Sequence, residues 1–131
     1  MQRPLRAIAY GFAIWWIWFG FIGLAQFLPD SVTSTSSFAT ARLLVLVLLV
    51  VFFAVDYLHR IGLGSIGEGL AVGVTWALLM VANDIGHFTF MEPVDMGQYL
   101  ATVAPLYAWI PLATVMVFGR LKARLGSASE A

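Results

Sequence analysis

Four long apolar segments constrain this chain more than any other feature of its sequence. Two of them contain no charged residue: 22 residues from Ala7 to Leu28 and 24 residues from Met96 to Gly119. A helix needs about 20 residues to cross the roughly 30 Å hydrocarbon core of a bilayer. We therefore predict an all-α polytopic membrane protein, a four-helix transmembrane bundle. It forms a single domain over residues 1–131, with spans near 7–28, 42–59, 69–90 and 96–119.

The composition supports this prediction and excludes several other classes of protein. Hydrophobic residues make up 61% of the chain and charged residues 11%, whereas about 25% of a soluble domain is charged. The seven Lys and Arg balance the seven Asp and Glu, so no net charge favours a nucleic-acid partner. Cysteine is lacking, which excludes disulfides, thiolate metal sites and a cysteine nucleophile.

The cations of the chain fall on one side of the predicted bundle. Short cytoplasmic loops are enriched in Lys and Arg. If the N-terminus is inside, Arg42 is the single cation outside, and the six inside are Arg3, Arg6, Arg60, Arg120, Lys122 and Arg124. This distribution predicts a multi-pass protein of the bacterial cytoplasmic (inner) membrane with both termini in the cytoplasm. The polar stretch Ser31–Ser37 is then a solvated loop on the outer side.

Small residues recur along one face of the third predicted span. Gly69, Gly73 and Ala77 are spaced four apart, and such spacing lets a neighbouring membrane helix approach closely. We expect this stripe to be a helix-packing surface. Asp84 and His87 continue along the same face, so they are expected to point into the bundle rather than towards lipid.

A polar group around Asp84 is the candidate functional site. We expect it to contain Asp84, His87 and Asn83 from the third span and Gln26 from the first. Ionisable residues inside a membrane often serve as a proton relay, an ion path or the counter-ion of a ligand. A structural network between helices explains the same residues equally well. Two ligands without a metal-binding motif do not predict a metal site, although Glu92, Asp95 and Tyr99 lie nearby in sequence.

The first span is unusually rich in aromatic residues. Trp15, Trp16 and Trp18 lie near its middle, whereas membrane Trp residues usually lie at the two interfaces. With Trp76 of the third span, they are candidates for contact with another helix or subunit. The alternative is a flat or lipid-like ligand, such as a quinone, a carotenoid or a lipid.

Two further features lie at the helix ends and in the last span. Asp56 and Arg60 are four residues apart, which favours a salt bridge at the inner interface. Pro105 and Pro111 each remove a backbone donor from the fourth span, and we expect them to kink it beside Asp84.

Scattered residues of the third and fourth spans resemble a family of uncharacterised small bacterial four-span integral membrane proteins. They are Glu68, Gly69, Leu70, Gly73, Trp76, Asp84, Phe90, Met96, Tyr99, Tyr107 and Pro111. The resemblance implies the four-span architecture and carries no activity. Small multidrug-resistance transporters also have four spans, but they need an acidic residue in the first span, and this chain has none there.

Three functional hypotheses follow from these observations. The first is a non-enzymatic membrane protein that serves as an accessory subunit or assembles with itself in the lipid bilayer. The second is a small proton- or ion-coupled transporter that uses Asp84. The third is a protein that binds a quinone, a pigment or a lipid through its aromatic residues.

Overall fold

A computed structural model describes residues 1, 3–61, 64–90 and 95–128, and every regular element in these ranges is a helix. Two of the helices are a single turn or two long, and a 3₁₀ segment interrupts the last part of the chain. The elements are α1 (Pro4–Ala25), α2 (Asp30–Thr33), α3 (Ser36–Ile61), α4 (Ile66–Phe90), α5 (Met96–Thr102), a 3₁₀ segment (Ala104–Ala108) and α6 (Trp109–Ala128).

Four stretches are long and apolar enough to cross a membrane, which confirms the predicted all-helical architecture. They are Pro4–Ala25, Ser36–Ile61, Ile66–His87 and Met96–Arg120. The second stretch begins six residues before the predicted boundary at residue 42. The predicted outer loop was therefore wrong in part, since α2 and the first turn of α3 occupy most of it.

Side-chain hydroxyls explain why the Ser- and Thr-rich stretch is helical. The Thr35 hydroxyl accepts a hydrogen bond from the Phe38 backbone N–H at 3.1 Å, as a helix cap does. The Thr40 hydroxyl donates to the Ser36 carbonyl oxygen at 3.0 Å. The first of these bonds satisfies a backbone N–H at the start of α3 that would otherwise need water, and the second gives the Thr40 hydroxyl an acceptor within the helix.

The predicted disruption of the fourth span lies before Pro105 and not at Pro111. Pro105 has no backbone N–H, so the α-helical ladder ends and the chain continues as the 3₁₀ segment. Pro111 lies in the first turn of α6, where its missing N–H would have no helical partner in any case. The last span therefore consists of two α-helices joined by the 3₁₀ segment.

The four long helices pack in a ring, in which α4 contacts α1 and α6, and α3 packs against the same two helices. Gly69 and Gly73 of the predicted stripe lie against α6. A Cβ atom on Gly73 would collide with Thr114 Oγ1 and lie 2.6 Å from Pro111 Cα, and one on Gly69 would meet the Phe118 ring at 2.9 Å. Ala77 is partly buried against the same core.

Large side chains fill the space between these helices. Trp76, Met80 and Phe118 are completely buried, and they join the residues of α1 and α3 in one apolar cluster. The Trp76 indole Nε1 donates to the Ala7 carbonyl oxygen at 2.7 Å, so its polar atom is satisfied inside the core. This packing brings α1 close to α4 along the length that leads to Asp84.

Candidate functional site

Three hydrogen-bond donors converge on the carboxylate of Asp84, which is only 7% exposed. The Trp15 indole Nε1 donates to Oδ1 at 2.7 Å. The Tyr107 hydroxyl donates to Oδ2 at 2.6 Å, and the Tyr99 hydroxyl donates to the same oxygen at 3.1 Å. We call these four residues the Asp84 cluster. It joins α1, α4, α5 and the 3₁₀ segment through one side chain.

The local fold explains why these donors reach one acid. Helix α1 approaches α4 closely at Gly11, where a Cβ atom would lie 2.6 Å from Leu79 Cδ1, and Trp15 follows one turn later. In an unbroken α-helix, Tyr99 and Tyr107 would be about 12 Å apart along the axis and about 80° apart around it. The interruption between them lets both hydroxyls reach Asp84 Oδ2.

The hydrogen bonds leave Asp84 little capacity for other partners. An ionised carboxylate accepts about four hydrogen bonds, two at each oxygen. Oδ2 already accepts two and Oδ1 accepts one. The cluster can therefore hold a negative charge in a fixed orientation inside the bundle, as a buried carboxylate requires.

A cavity of about 370 Å³ lies beside the cluster; we call it the Asp84 cavity. Its wall combines polar side chains from four segments with a few apolar ones. The His87 imidazole and the Phe19 ring form an edge-to-face pair, with ring centroids 4.7 Å apart. The lining residues are Trp18, Phe19, Ile22, Gly23, Gln26, Arg42, Asp84, His87, Val103 and Tyr107.

A second cavity, of about 310 Å³, adjoins the first and includes Asp30, Thr33 and Phe38 in its wall. Ile22, Gln26 and Arg42 line both cavities. Arg42 thus lies between the region of Asp84 and the region of Asp30. Its Nε atom is buried and has no hydrogen-bond partner among the described residues.

The structure brings some of the predicted polar residues together and separates one from them. His87 and Gln26 line the Asp84 cavity. Asn83 is not part of that wall: its Nδ2 donates to the Leu79 carbonyl oxygen at 2.7 Å, one turn back on its own helix. Asparagine amides readily form such local bonds to the backbone, and Asn83 lies about 100° from Asp84 around the helix axis.

The four tryptophans predicted to contact a ligand or subunit have different environments. Trp15 and Trp76 use their indole donors inside the bundle, on Asp84 and on the Ala7 carbonyl. Trp18 is buried, stacks with Phe21 at a centroid distance of 5.8 Å and lines the Asp84 cavity. Trp16 is 64% exposed on the outside of α1.

A separate group of polar residues lies at the opposite end of the bundle. Asp56 and Arg60 form the predicted i,i+4 pair, with Arg60 Nε 2.8 Å from Asp56 Oδ2. The Tyr10 hydroxyl donates to the same carboxylate oxygen. The Glu68 carboxylate accepts from the Tyr57 hydroxyl at 3.0 Å. These contacts hold the ends of α1, α3 and α4 together.

Sequence reasoning did not place Tyr99, Tyr107 or Arg42 in this site, and it did not predict that Trp15 donates to Asp84. Arg42 is the single cation at the predicted outer end of the bundle. This position is unusual, but in the sequence analysis it is used only to predict the orientation in the membrane.

No protein family, curated protein or solved structure matches this chain. Glu92 lies outside the described residues. Within the residues that the structure describes, no group of three or more His, Asp and Glu side chains lies close enough to hold a metal ion. The functional argument therefore depends on the geometry of the Asp84 cluster and of the helix surfaces.

Proposed function

We propose that this chain is a non-enzymatic integral membrane protein, an accessory subunit of a membrane complex or a self-assembling four-helix unit. The observation that carries the proposal is the position of Trp16. This residue is the thirteenth of the 22 in α1 and is 64% exposed. Its indole N–H has no acceptor among the described residues.

Such a tryptophan is costly in a bilayer unless another molecule covers it. Indoles favour the two membrane interfaces, where the N–H can contact water or headgroups. Halfway along a span, an unpaired donor faces hydrocarbon, where it costs free energy. A helix of a second chain would cover the ring and offer an acceptor. The ring contacts of Trp16 with Trp15 and Phe19 extend this surface.

The coverage of the spans supports the same proposal. Between 17% and 33% of the most apolar stretch of each candidate span is buried inside the chain, so every span keeps side chains that lipid or partners can contact. In this proposal the protein lies in the bacterial inner membrane with both termini in the cytoplasm, as the distribution of Lys and Arg favours. The Asp84 cluster then has a structural role, because its carboxylate is already engaged by three donors.

Mass measurement in native-like membranes tests the assembly. The protein extracted into lipid nanodiscs is expected to have the mass of two or more chains, or of this chain with a partner. Trp16→Ala should lower the assembled fraction about tenfold, as the loss of a central interface aromatic does. Phe52→Ala is the matched control, because Phe52 is 67% exposed on α3 and lies on a different helix. A wild-type protein that is always a single chain would contradict the proposal.

A second candidate function is proton- or ion-coupled transport through Asp84. The observation that favours it is the pair of adjoining cavities, which extends from Asp84 to the region of Asp30. In proteoliposomes with an internal pH indicator, Asp84→Asn is expected to abolish proton flux. Equal flux in the wild type and Asp84→Asn would exclude Asp84 as the coupling residue.

A further inference from the structure

Arg42 has an unsatisfied donor in the wall that the two cavities share. Its side chain is partly buried, and its Nε atom is buried without a hydrogen-bond partner among the described residues. Neither Asp84 nor Asp30 forms a described ion pair with it, although both line a cavity that Arg42 lines. A guanidinium stays charged under all ordinary conditions, so the group needs an acceptor from elsewhere.

The cost of this arrangement points to a bound group. A buried donor without a partner costs free energy, and the cost is larger when the donor is charged. The Asp84 carboxylate does not remove this cost, because its oxygens are directed to Trp15, Tyr99 and Tyr107. The cavity of about 370 Å³ is far larger than one water molecule needs.

The depth of Arg42 indicates which acceptor is available. Helix α3 has 26 residues and is about 39 Å long, which matches a bilayer of about 40–45 Å with its headgroups. Arg42 lies six residues after Ser36, about 9 Å from the start of that helix. At that depth Arg42 lies within the reach of a long side chain from the headgroup layer, where the phosphates of phospholipids lie.

The remaining lining of the Asp84 cavity suits a phosphate ester. Gln26 and His87 add polar groups beside Arg42, while Phe19, Ile22 and Val103 form an apolar wall for the organic part of the ligand. The planar guanidinium presents two parallel donors to a phosphate, so binding would satisfy Nε directly.

We propose that the Asp84 cavity binds the phosphate group of a phosphate ester at Arg42, and that a membrane phospholipid supplies it. The proposal rests on the membrane placement argued above but does not depend on assembly with other chains. Phosphate binding and subunit mass are separate measurements, so failure of one proposal is distinguishable from failure of the other.

Lipid titration of the delipidated, full-length protein in detergent tests this binding. Native mass spectrometry is used to measure binding of phosphatidylglycerol, with diacylglycerol as the probe without phosphate. We expect the wild type to bind phosphatidylglycerol and not diacylglycerol. Arg42→Gln should weaken that binding about tenfold or more, because a charge-assisted bidentate contact is lost. Equal affinity in the wild type and Arg42→Gln would overturn the proposal.

Arg60→Gln is the matched control, since Arg60 lies on the same helix at its other end and pairs with Asp56. Its affinity for phosphatidylglycerol is expected to stay within about twofold of wild type. A loss as large as that of Arg42→Gln would mean that the lipid binds through general surface charge, which overturns the proposed site. Inorganic phosphate is the third probe. If inorganic phosphate displaces phosphatidylglycerol from the wild type only, Arg42 recognises the phosphate group itself, whether a lipid or a soluble ion supplies it.

Two measurements keep the test valid if the Gln variant is affected in its fold. In lipid-free detergent, Arg42→Gln should unfold at the same temperature as wild type or higher, because the unsatisfied charged donor is removed. Added phosphatidylglycerol should then raise the unfolding temperature of the wild type alone.

Arg42→Lys retains the charge without the planar fork and is expected to bind the lipid more weakly than wild type. Unchanged affinity in that variant would contradict the role of Nε.

Discussion

Asp84 can be buried because its donors come from three other segments of the chain. The indole of Trp15 and the hydroxyls of Tyr99 and Tyr107 satisfy three of its acceptor positions. A carboxylate inside a membrane helix normally costs about 2.5–3.5 kcal/mol on insertion scales. Here the same group joins α1, α4, α5 and the 3₁₀ segment at one end of the bundle.

Replacing Asp84 tests this residue directly. Asp84→Ala leaves three donors without an acceptor and is expected to lower the free energy of unfolding by about 2–4 kcal/mol. Unfolding in mixed detergent, followed by tryptophan fluorescence, measures the change. Asp30→Ala is the control, because Asp30 is exposed and its removal should alter stability by less than about 0.5 kcal/mol. Equal effects of the two substitutions would contradict the structural role.

At the residue scale, the sequence predicts that the Asp84 side chain points into the bundle, but it does not predict which residues bind it. Helical periodicity alone indicates that Asp84 shares a face with Gly73, and that face is buried in the structure. The partners depend on long-range contacts, such as that between Trp15 and Asp84 across 69 positions. Periodicity within one helix carries no information about them. The same applies to Asn83, which was expected in the polar group. Its amide instead donates to the Leu79 carbonyl oxygen of its own helix.

At the scale of helices, the contact between α4 and α6 depends on small residues. Gly73 lies so close to Pro111 and Thr114 that no side chain fits between the two helices. The contact to Pro111 involves backbone atoms, so a rotamer change cannot relieve a clash there. The small-residue spacing predicts a helix contact, whereas the identity of the partner helix requires the structure.

A pair of glycines on the same helix tests this contact. Gly73→Ala is expected to destabilise the protein by about 1–3 kcal/mol, because the added Cβ forces α4 and α6 apart. Gly86→Ala should be neutral or slightly stabilising, since a Cβ there meets no atom within 4 Å and Ala favours a helix. Thermal unfolding of both variants in one detergent measures the difference. A Gly73→Ala variant as stable as Gly86→Ala would refute the close contact.

The interrupted last span shows what proline content predicts and what it does not. Two prolines favoured a disturbed helix, but their effects differ with position: Pro105 ends an α-helix and Pro111 begins one. The break places Tyr99 and Tyr107 on the same carboxylate oxygen. That outcome depends on the path of the chain between α5 and α6, which the presence of a proline does not specify.

At the scale of the whole molecule, the polar groups divide between the two ends of the bundle. One end contains Asp84, Arg42 and the two cavities, and the other contains the pair Asp56–Arg60 and Glu68. The composition predicts four spans, and the described helices have the length and apolarity that spans require. The distribution of cations adds an expected orientation.

Single cysteines can test that orientation without background, because the natural chain has none. Ser34→Cys should react in intact bacteria with a reagent that does not cross membranes, since residue 34 lies at the predicted outer end. His59→Cys, exposed at the other end of α3, should react only after the membrane is permeabilised. Reversed labelling of the two positions would mean that the termini lie outside.

The order of the donors along the chain has a consequence for biosynthesis. Trp15 is translated 69 residues before Asp84, whereas Tyr99 and Tyr107 are translated 15 and 23 residues after it. During that interval the nascent acid has one of its three partners. A ribosome-bound chain that stops before residue 99 would present a half-satisfied carboxylate to the insertion machinery. We therefore expect the third and fourth spans to leave the translocon as a pair.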